Sequence, residues 1–212
     1  MNRSTISKTF ITGAIIIYML LFGLISYCNY AYYGFSDFDL AIHAQSVWNI
    51  LHGSIDSSIL GIPFLGNHMA LILFLIAPFY AISPSPLLLL FIQTTVLALG
   101  ALGIYLLAKK ELSEKWAVAL AASYLVYPPL IYMNLYEFHP VALASSFLIF
   151  LMYFYKTENF KAFLTFLALT LLCQENLSLV IMAFAAYAFI DCLLYTSPSP
   201  RDRTRSRMPS SA

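Results

Sequence analysis

An all-α, polytopic transmembrane helical bundle is the fold class this sequence predicts, and three observations predict it. Apolar residues make up 61% of the 212 positions and charged residues only 10%, against about 25% charged in soluble domains; mean hydropathy is +0.80. The apolar residues fall in runs of the length that bilayer-crossing helices need. The polar residues between the runs separate by type. With the runs numbered as spans, Arg3, Lys8, Lys109, Lys110, Lys115, Lys156 and Lys161 can all be placed on one side. His43, His52, His68 and His139 then fall on the other, with Asp37, Asp39, Asp56 and Glu137. Basic residues mark the cytoplasmic face. The expectation is a multi-pass protein of the cytoplasmic membrane, N-terminus cytoplasmic, with an extracytoplasmic polar site. A net charge of +1 and the lack of a basic stripe give nucleic acid nothing to bind. Cys28 and Cys173 lie in or beside apolar runs, without CxxC or zinc spacing, and read as packing residues.

The elements follow in order. The run from Phe10 to Ser26 is long for a signal peptide, and no clear A-x-A site follows it. It reads as a retained signal-anchor span ending near Cys28, with Tyr27, Tyr30, Tyr32 and Tyr33 as an aromatic belt at its exit. In the loop beyond, Leu40, Ala44, Val47, Trp48 and Leu51 recur at helical spacing and Gly53 supplies a stop. That pattern predicts an amphipathic helix lying on the outer membrane surface. Met69 to Ile82 is 14 residues, short of the roughly 20 that a crossing requires. If it crossed, Lys109, Lys110 and Lys115 would share a side with the histidine-rich loop. If it enters and returns, all the basic residues stay together, and this arrangement is adopted. Spans then run from Leu87 to Ala108, Trp116 to Leu135 and Val141 to Tyr155. Pro128-Pro129 should kink the end of the second of these and widen a cavity. Gly100 and Gly103 are weak as a helix–helix contact. Ala162 to Ile190 is interrupted by Gln174-Glu175-Asn176; it is either two short helices or one span with Glu175 inside it.

From Cys192 the composition turns polar and rich in Arg, Pro and Ser. A disordered tail is the ordinary reading. Cys192 to Asp202, however, resembles the translation of a transposase-adapter end used in DNA sequencing, and Ser206 to Ala212 resembles the outer adapter. The expectation is a native N-terminal membrane module over residues 1–191, truncated near Asp191, and a read-through tail over 192–212. Different codons in the source nucleotide sequence would refute it.

Two polar constellations carry candidate chemistry. Asp39 and His43 are four apart and share a helix face, which can present a carboxylate and an imidazole to one metal ion or phosphate. Ser36-x-x-Asp39 is equally an acceptable helix-capping pattern. Tyr136-Glu137-Phe138-His139-Pro140 packs an acid, an imidazole and two aromatics between two spans, with Pro140 placed to start the next helix. His68 stands at a boundary just before the short apolar run. No Gly-rich phosphate loop, dinucleotide fingerprint or ATP motif occurs.

The segments FDLAIHAQSVWNILHG, PFLGNHMALILFLIAPFYAISPSPLLLL, IYLLAKKEL, NLYEFHPVAL and CQENLSL follow one another in order. Together they resemble an uncharacterised prokaryotic family of predicted multi-pass membrane proteins, grouped with the GT-C glycosyltransferase fold, over nearly all of Met1 to Asp191. The resemblance implies a sugar transferred from a polyprenyl-phosphate carrier to an extracytoplasmic acceptor, with membrane lipids as the surrounding partners. It places Asp39 as general base or as ligand of a divalent cation, Mg or Mn, with Asp39 and His68 as candidate metal ligands. It places His68, Glu137 and His139 near the carrier phosphate or metal; with the residues' own signals, the catalytic candidates are Asp39, Glu137 and His139 and the substrate-binding candidates His43, His68 and Glu175. Gly66-Asn67-His68 stands where the family commonly has Gly-Asp-His, removing a carboxylate. Gln174-Glu175-Asn176 stands where Lys-Glu-Asp is frequent, removing a positive charge. Two other readings stay open: a transporter or flippase using Glu175, Glu137 and His139 as a path, and a non-catalytic assembly subunit. The residues leave the sugar, the acceptor and the oligomeric state open.

Overall fold

In lipid, a helix satisfies every backbone N–H and C=O within its own segment, and apolar runs such as these fold accordingly. The computed structural model describes residues 3–35 and 37–196. Helices α1 (Arg3–Ala31), α2 (Asp39–Leu51), α3 (Ile72–Ile82), α4 (Pro86–Glu111), α5 (Glu114–Leu125), α6 (Pro128–Tyr136), α7 (Pro140–Lys156), α8 (Phe160–Leu171) and α9 (Leu177–Thr196) account for most of them. Three stretches are long and apolar enough to cross a membrane: Thr5–Ala31, Pro86–Glu111 and Glu114–Tyr136. The chain divides into two compact units, Met1–Glu175 and Asn176–Ala212. In the second, the described residues form α9, a single apolar helix. Positions 197–212, most of the expected read-through tail, lie outside the described residues.

The described residues are mostly helical, as expected, with one short addition. After α2 the chain forms a two-stranded antiparallel hairpin, β1 (Asp56–Ser57) and β2 (Ile62–Pro63), with Asp56 opposite Pro63 and Ser57 opposite Ile62. The strands are too short for an alternating pattern to announce them. Side chains of α2 hold the loop: Asn49 Nδ2 donates to Asp56 O at 2.6 Å, and Gln45 Oε1 accepts from Ser57 Oγ at 2.9 Å.

Small residues set how closely the first unit packs. Lipid tails are as apolar as Leu, so helices in a bilayer associate through close contact rather than through expulsion of water. Ala98 and Ala101 of α4 and Ala117 and Ala121 of α5 are fully buried, with Ile11 and Tyr18 of α1 against the same core. Gly100 and Gly103, given little weight on sequence grounds, lie at the tightest approaches. A Cβ on Gly100 would overlap the Tyr124 hydroxyl and stand 2.7 Å from Ser146 Oγ; one on Gly103 would stand 2.7 Å from Ile149. The paired prolines act as expected but more sharply. Pro128 cannot donate a helical hydrogen bond, and the helix stops at Leu125 and restarts at Pro128.

The bundle has two chemically distinct ends. At one, the Lys110 ammonium donates to the Lys156 carbonyl and Lys109 Nζ pairs with Glu114 Oε2 at 3.0 Å. This joins the end of α4, the start of α5 and the end of α7. Lys8, Lys115 and Lys161 fall at the same end by their places in α1, α5 and α8. At the other end α1 exits, α4 begins, α6 ends and α7 begins. Tyr30, Ala31, Asp37, Leu40, Pro86 and Glu137 line one cavity there. Helix α3 has 11 residues, about 16 Å at ~1.5 Å per residue, roughly half of a ~30 Å hydrocarbon core. Its first amide, Ile72 N, donates to Leu172 O at 2.7 Å, and three residues after its last turn Pro86 starts α4. Helix α3 therefore starts and finishes toward the histidine end and packs along α2. The interrupted run after Lys161 is two helices, α8 and α9, with Gln174-Glu175-Asn176 between them.

Candidate functional site

The site forms where α2 meets the turn between α6 and α7. Of the apolar stripe of helix α2, Leu40, Ala44 and Val47 are buried, while Trp48 and Leu51 are 47% and 38% exposed. The helix ends as expected, with Gly53 in the left-handed region at φ +77°, where a residue without a Cβ carries no steric cost. Ser36 lies outside the described residues, and the residue preceding the helix is Phe38, whose side chain makes no capping bond. The cap comes from 97 residues further along. Glu137 Oε2 accepts from Leu40 N at 2.7 Å and Oε1 from Asp37 N at 2.9 Å. A carboxylate suits this place because a helix N-terminus presents unpaired N–H groups and a partial positive charge.

Glu137 is 1% exposed, and a buried charge persists only when it is hydrogen-bonded. Both its oxygens are so bonded. Its carbonyl accepts from Gln93 Nε2 at 2.8 Å, while Gln93 Oε1 accepts from His139 N at 2.8 Å. Gln93, fully buried in α4, thus clamps the backbone on both sides of Phe138. Thr94 Oγ1 donates to Asn134 Oδ1 at 3.0 Å and ties the end of α6 to the same turn of α4.

This scaffold brings Asp39 and His139 together. Asp39 Oδ2 lies 2.9 Å from His139 Nε2, and the two side chains are 32% and 29% exposed, so the pair is open to a ligand. The second oxygen, Oδ1, takes no part in the contact. Tyr136 stacks on the His139 ring at 5.5 Å and donates its hydroxyl to Asp37 Oδ2 at 3.0 Å. Asp37 is held below the usual carboxylate range, first by the Phe38 amide and then by the Tyr136 hydroxyl.

His43 shares the α2 face of Asp39 but turns inward. It is 9% exposed, edge-on to Phe138 at 5.6 Å and to His139 at 6.3 Å. Burial pushes its pKa down to about 3, and His139 and His68 add to the same effect. It is neutral at ordinary pH and packs against the two rings.

His68 and Glu175 make a second pair. His68 Nδ1 is 3.0 Å from Glu175 Oε1, and Met69 N donates to Glu175 Oε2 at 2.9 Å. Glu175 falls to about 2, chiefly through His68, with help from its own amide and that of Met69. The proposed metal set of Asp39 and His68 is therefore split: each residue is bonded to another partner. Among the described residues no group of three His, Cys, Asp or Glu side chains is placed to hold a metal ion.

Two contributors escaped the sequence reading. Gln93 gave one usable signal: it opens the polar triplet Gln93-Thr94-Thr95 within an apolar span, where polar groups are costly unless paired. Tyr136 was singled out only as part of its pentapeptide; that it stacks on His139 and bonds Asp37 depends on the fold of α2.

A family model described as "Predicted membrane protein (DUF2079)" matches residues 31–206. No curated protein and no solved structure matches the chain. The matched region takes in both histidine–carboxylate pairs, the capping glutamate and every helix after α1, and the chain belongs to this family of predicted membrane proteins.

Proposed function

We propose that the chain is a membrane glycosyltransferase of GT-C-like architecture, moving a sugar from a polyprenyl-phosphate carrier to an acceptor hydroxyl at the extracytoplasmic face. The observation that carries this reading is the Asp39–His139 pair: a carboxylate 2.9 Å from an imidazole, partly open, at the bundle end opposite the lysines. A lipid-anchored donor presents its sugar-phosphate at the membrane boundary, where α2 lies. Asp39 Oδ1 takes the proton of the acceptor hydroxyl as its oxygen bonds to the sugar C1. The bond from C1 to the phosphate oxygen breaks, and its electron pair leaves with the polyprenyl phosphate. His139 fixes the carboxylate rotamer, and a positioned base of this kind contributes 10²–10⁴-fold. Glu137 and Gln93 are positioning residues. Lysines lie at the far end, and His68 and His139 are placed to meet phosphate charge in this reading. The proposed orientation puts the lysine end in the cytoplasm.

The test is transfer of radiolabelled sugar from membrane polyprenyl-phosphate pools, with Asp39→Asn in the chromosomal gene. A loss of about a hundredfold or more, with normal membrane insertion, is expected. Unchanged transfer with altered flux of the carrier across the bilayer would favour a transporter. Unchanged transfer and flux would favour an assembly subunit.

A further inference from the structure

His43 is the polar side chain of the site that the contacts above leave unused. It is only 9% exposed, and neither ring nitrogen makes a hydrogen bond to a described residue. A buried polar group without a partner is costly and calls for an explanation. Its nitrogens are not among the fully enclosed atoms that lack a partner, so the small exposure His43 keeps reaches its ring nitrogens. Asp39 stands one helical turn away on the same face. Both residues flank His139, Asp39 through its 2.9 Å contact and His43 edge-on at 6.3 Å.

Burial keeps the His43 imidazole neutral. A neutral imidazole offers one N–H donor and one acceptor nitrogen, the complement of a hydroxyl, which both gives and takes a hydrogen bond. A phosphate ester offers acceptor oxygens and would leave the acceptor nitrogen unmatched. The fixed charges at this end are the carboxylates of Asp37, Asp39, Glu137 and Glu175, and the lysines lie at the opposite end. Nothing of fixed positive charge among the described residues draws an anion toward His43.

We infer that His43 is a sugar-binding group: one ring nitrogen donates to, and the other accepts from, hydroxyls of a saccharide whose neighbouring hydroxyl lies at Asp39. The inference rests on the sugar-transfer reading of this end and assigns to it a residue that holds the carbohydrate itself, apart from the carrier phosphate. The hydroxyls belong to the donor's sugar or to a saccharide acceptor, and the chemistry is shared.

The experiment measures binding rather than transfer, on the full chain in detergent. The probes are the methyl glycosides of glucose, galactose, mannose and N-acetylglucosamine, the same sugars linked to polyprenyl phosphate, and polyprenyl phosphate without a sugar. Saturation-transfer NMR reads the soluble glycosides, and native mass spectrometry reads the lipids. At least one sugar-bearing probe should bind. His43→Leu, which fills the space without a polar atom, should weaken that binding about tenfold, as expected for a sugar hydroxyl left without its partner; His43→Phe offers the same comparison if the Leu variant does not fold. His43→Gln, which restores a donor and an acceptor, should stay within about twofold of the wild type, and retention of the sugar-free carrier should not change in any variant. A bound methyl glycoside identifies an acceptor sugar; a response confined to lipid-linked sugars identifies the donor's. Equal binding by the wild type and His43→Leu overturns the inference. So do a loss in His43→Gln as deep as in His43→Leu, an equal loss of the sugar-free carrier, and failure of every sugar-bearing probe to bind the wild type. Sugar binding that depends on His43 in a chain without transfer activity would remove the transfer reading alone; transfer indifferent to His43→Leu would remove this inference alone.

Discussion

Glu137 reaches across 97 residues of sequence to hold Leu40: its Oε2 accepts the Leu40 amide at 2.7 Å while its Oε1 accepts that of Asp37. The acid of the α6–α7 turn therefore sets the first turn of α2, and with it the place of Asp39. Replacing Glu137 by Ala leaves a buried amide without a partner, which costs about 1–3 kcal/mol, and removes a favourable charge from a helix N-terminus. Thermal unfolding in detergent should show a lowered midpoint for Glu137→Ala and a smaller drop for Glu137→Gln, which keeps one oxygen acceptor.

Much of this arrangement was legible in the residues, and the part that was not has a physical cause. Helix α2 announced itself because its apolar positions recur with period 3.6 and Gly53 ends it. The separation of lysines from histidines appears as two ends of one bundle because charge at span boundaries is a local property. Pairings between distant segments carry no local signal. Asp39 and His43 share a face by spacing, yet Asp39 pairs with His139 and His43 faces Phe138. Likewise the Asp37 and Leu40 amides are held by a carboxylate of the α6–α7 turn, a contact that no local pattern announces.

His43 gives a pH signature. Its folded pKa is depressed to about 3 from 6.5 by burial and by its two histidine neighbours, so below pH 6.5 the unfolded chain binds a proton that the folded chain refuses. Its contribution to stability is intact above 6.5 and falls as pH drops from 6.5 toward 3, by up to ~1.4 kcal/mol per pH unit. Unfolding midpoints between pH 4 and 7 should fall more steeply on acidification in the wild type than in His43→Leu.

The Glu175–His68 contact should matter locally rather than globally. Glu175 is about half exposed, and exposed ion pairs contribute about 0–1 kcal/mol. Its carboxylate nevertheless accepts the Met69 amide. Glu175→Gln should speed hydrogen exchange at Met69 with little change in the unfolding midpoint. In the wild type the same protection should be complete above pH 4.5 and decline as pH falls toward 2.

Gly100 tests the packing. Tyr124 donates to the Leu97 carbonyl at 3.1 Å and lies beside Ser146 Oγ at 3.3 Å. A methyl group at Gly100 would displace that hydroxyl, and overpacking of this kind costs about 1–3 kcal/mol. Gly100→Ala should lower the unfolding midpoint, and Gly100→Ala/Tyr124→Phe should recover part of the loss.

The most direct measurement is a double-mutant cycle on transfer rate with Asp39→Asn, His139→Gln and the two together. Groups that act as one unit are non-additive: each single change should cut transfer sharply, and the double variant should be little worse than the poorer single one. Transfer at the wild-type rate in either single variant would contradict the account.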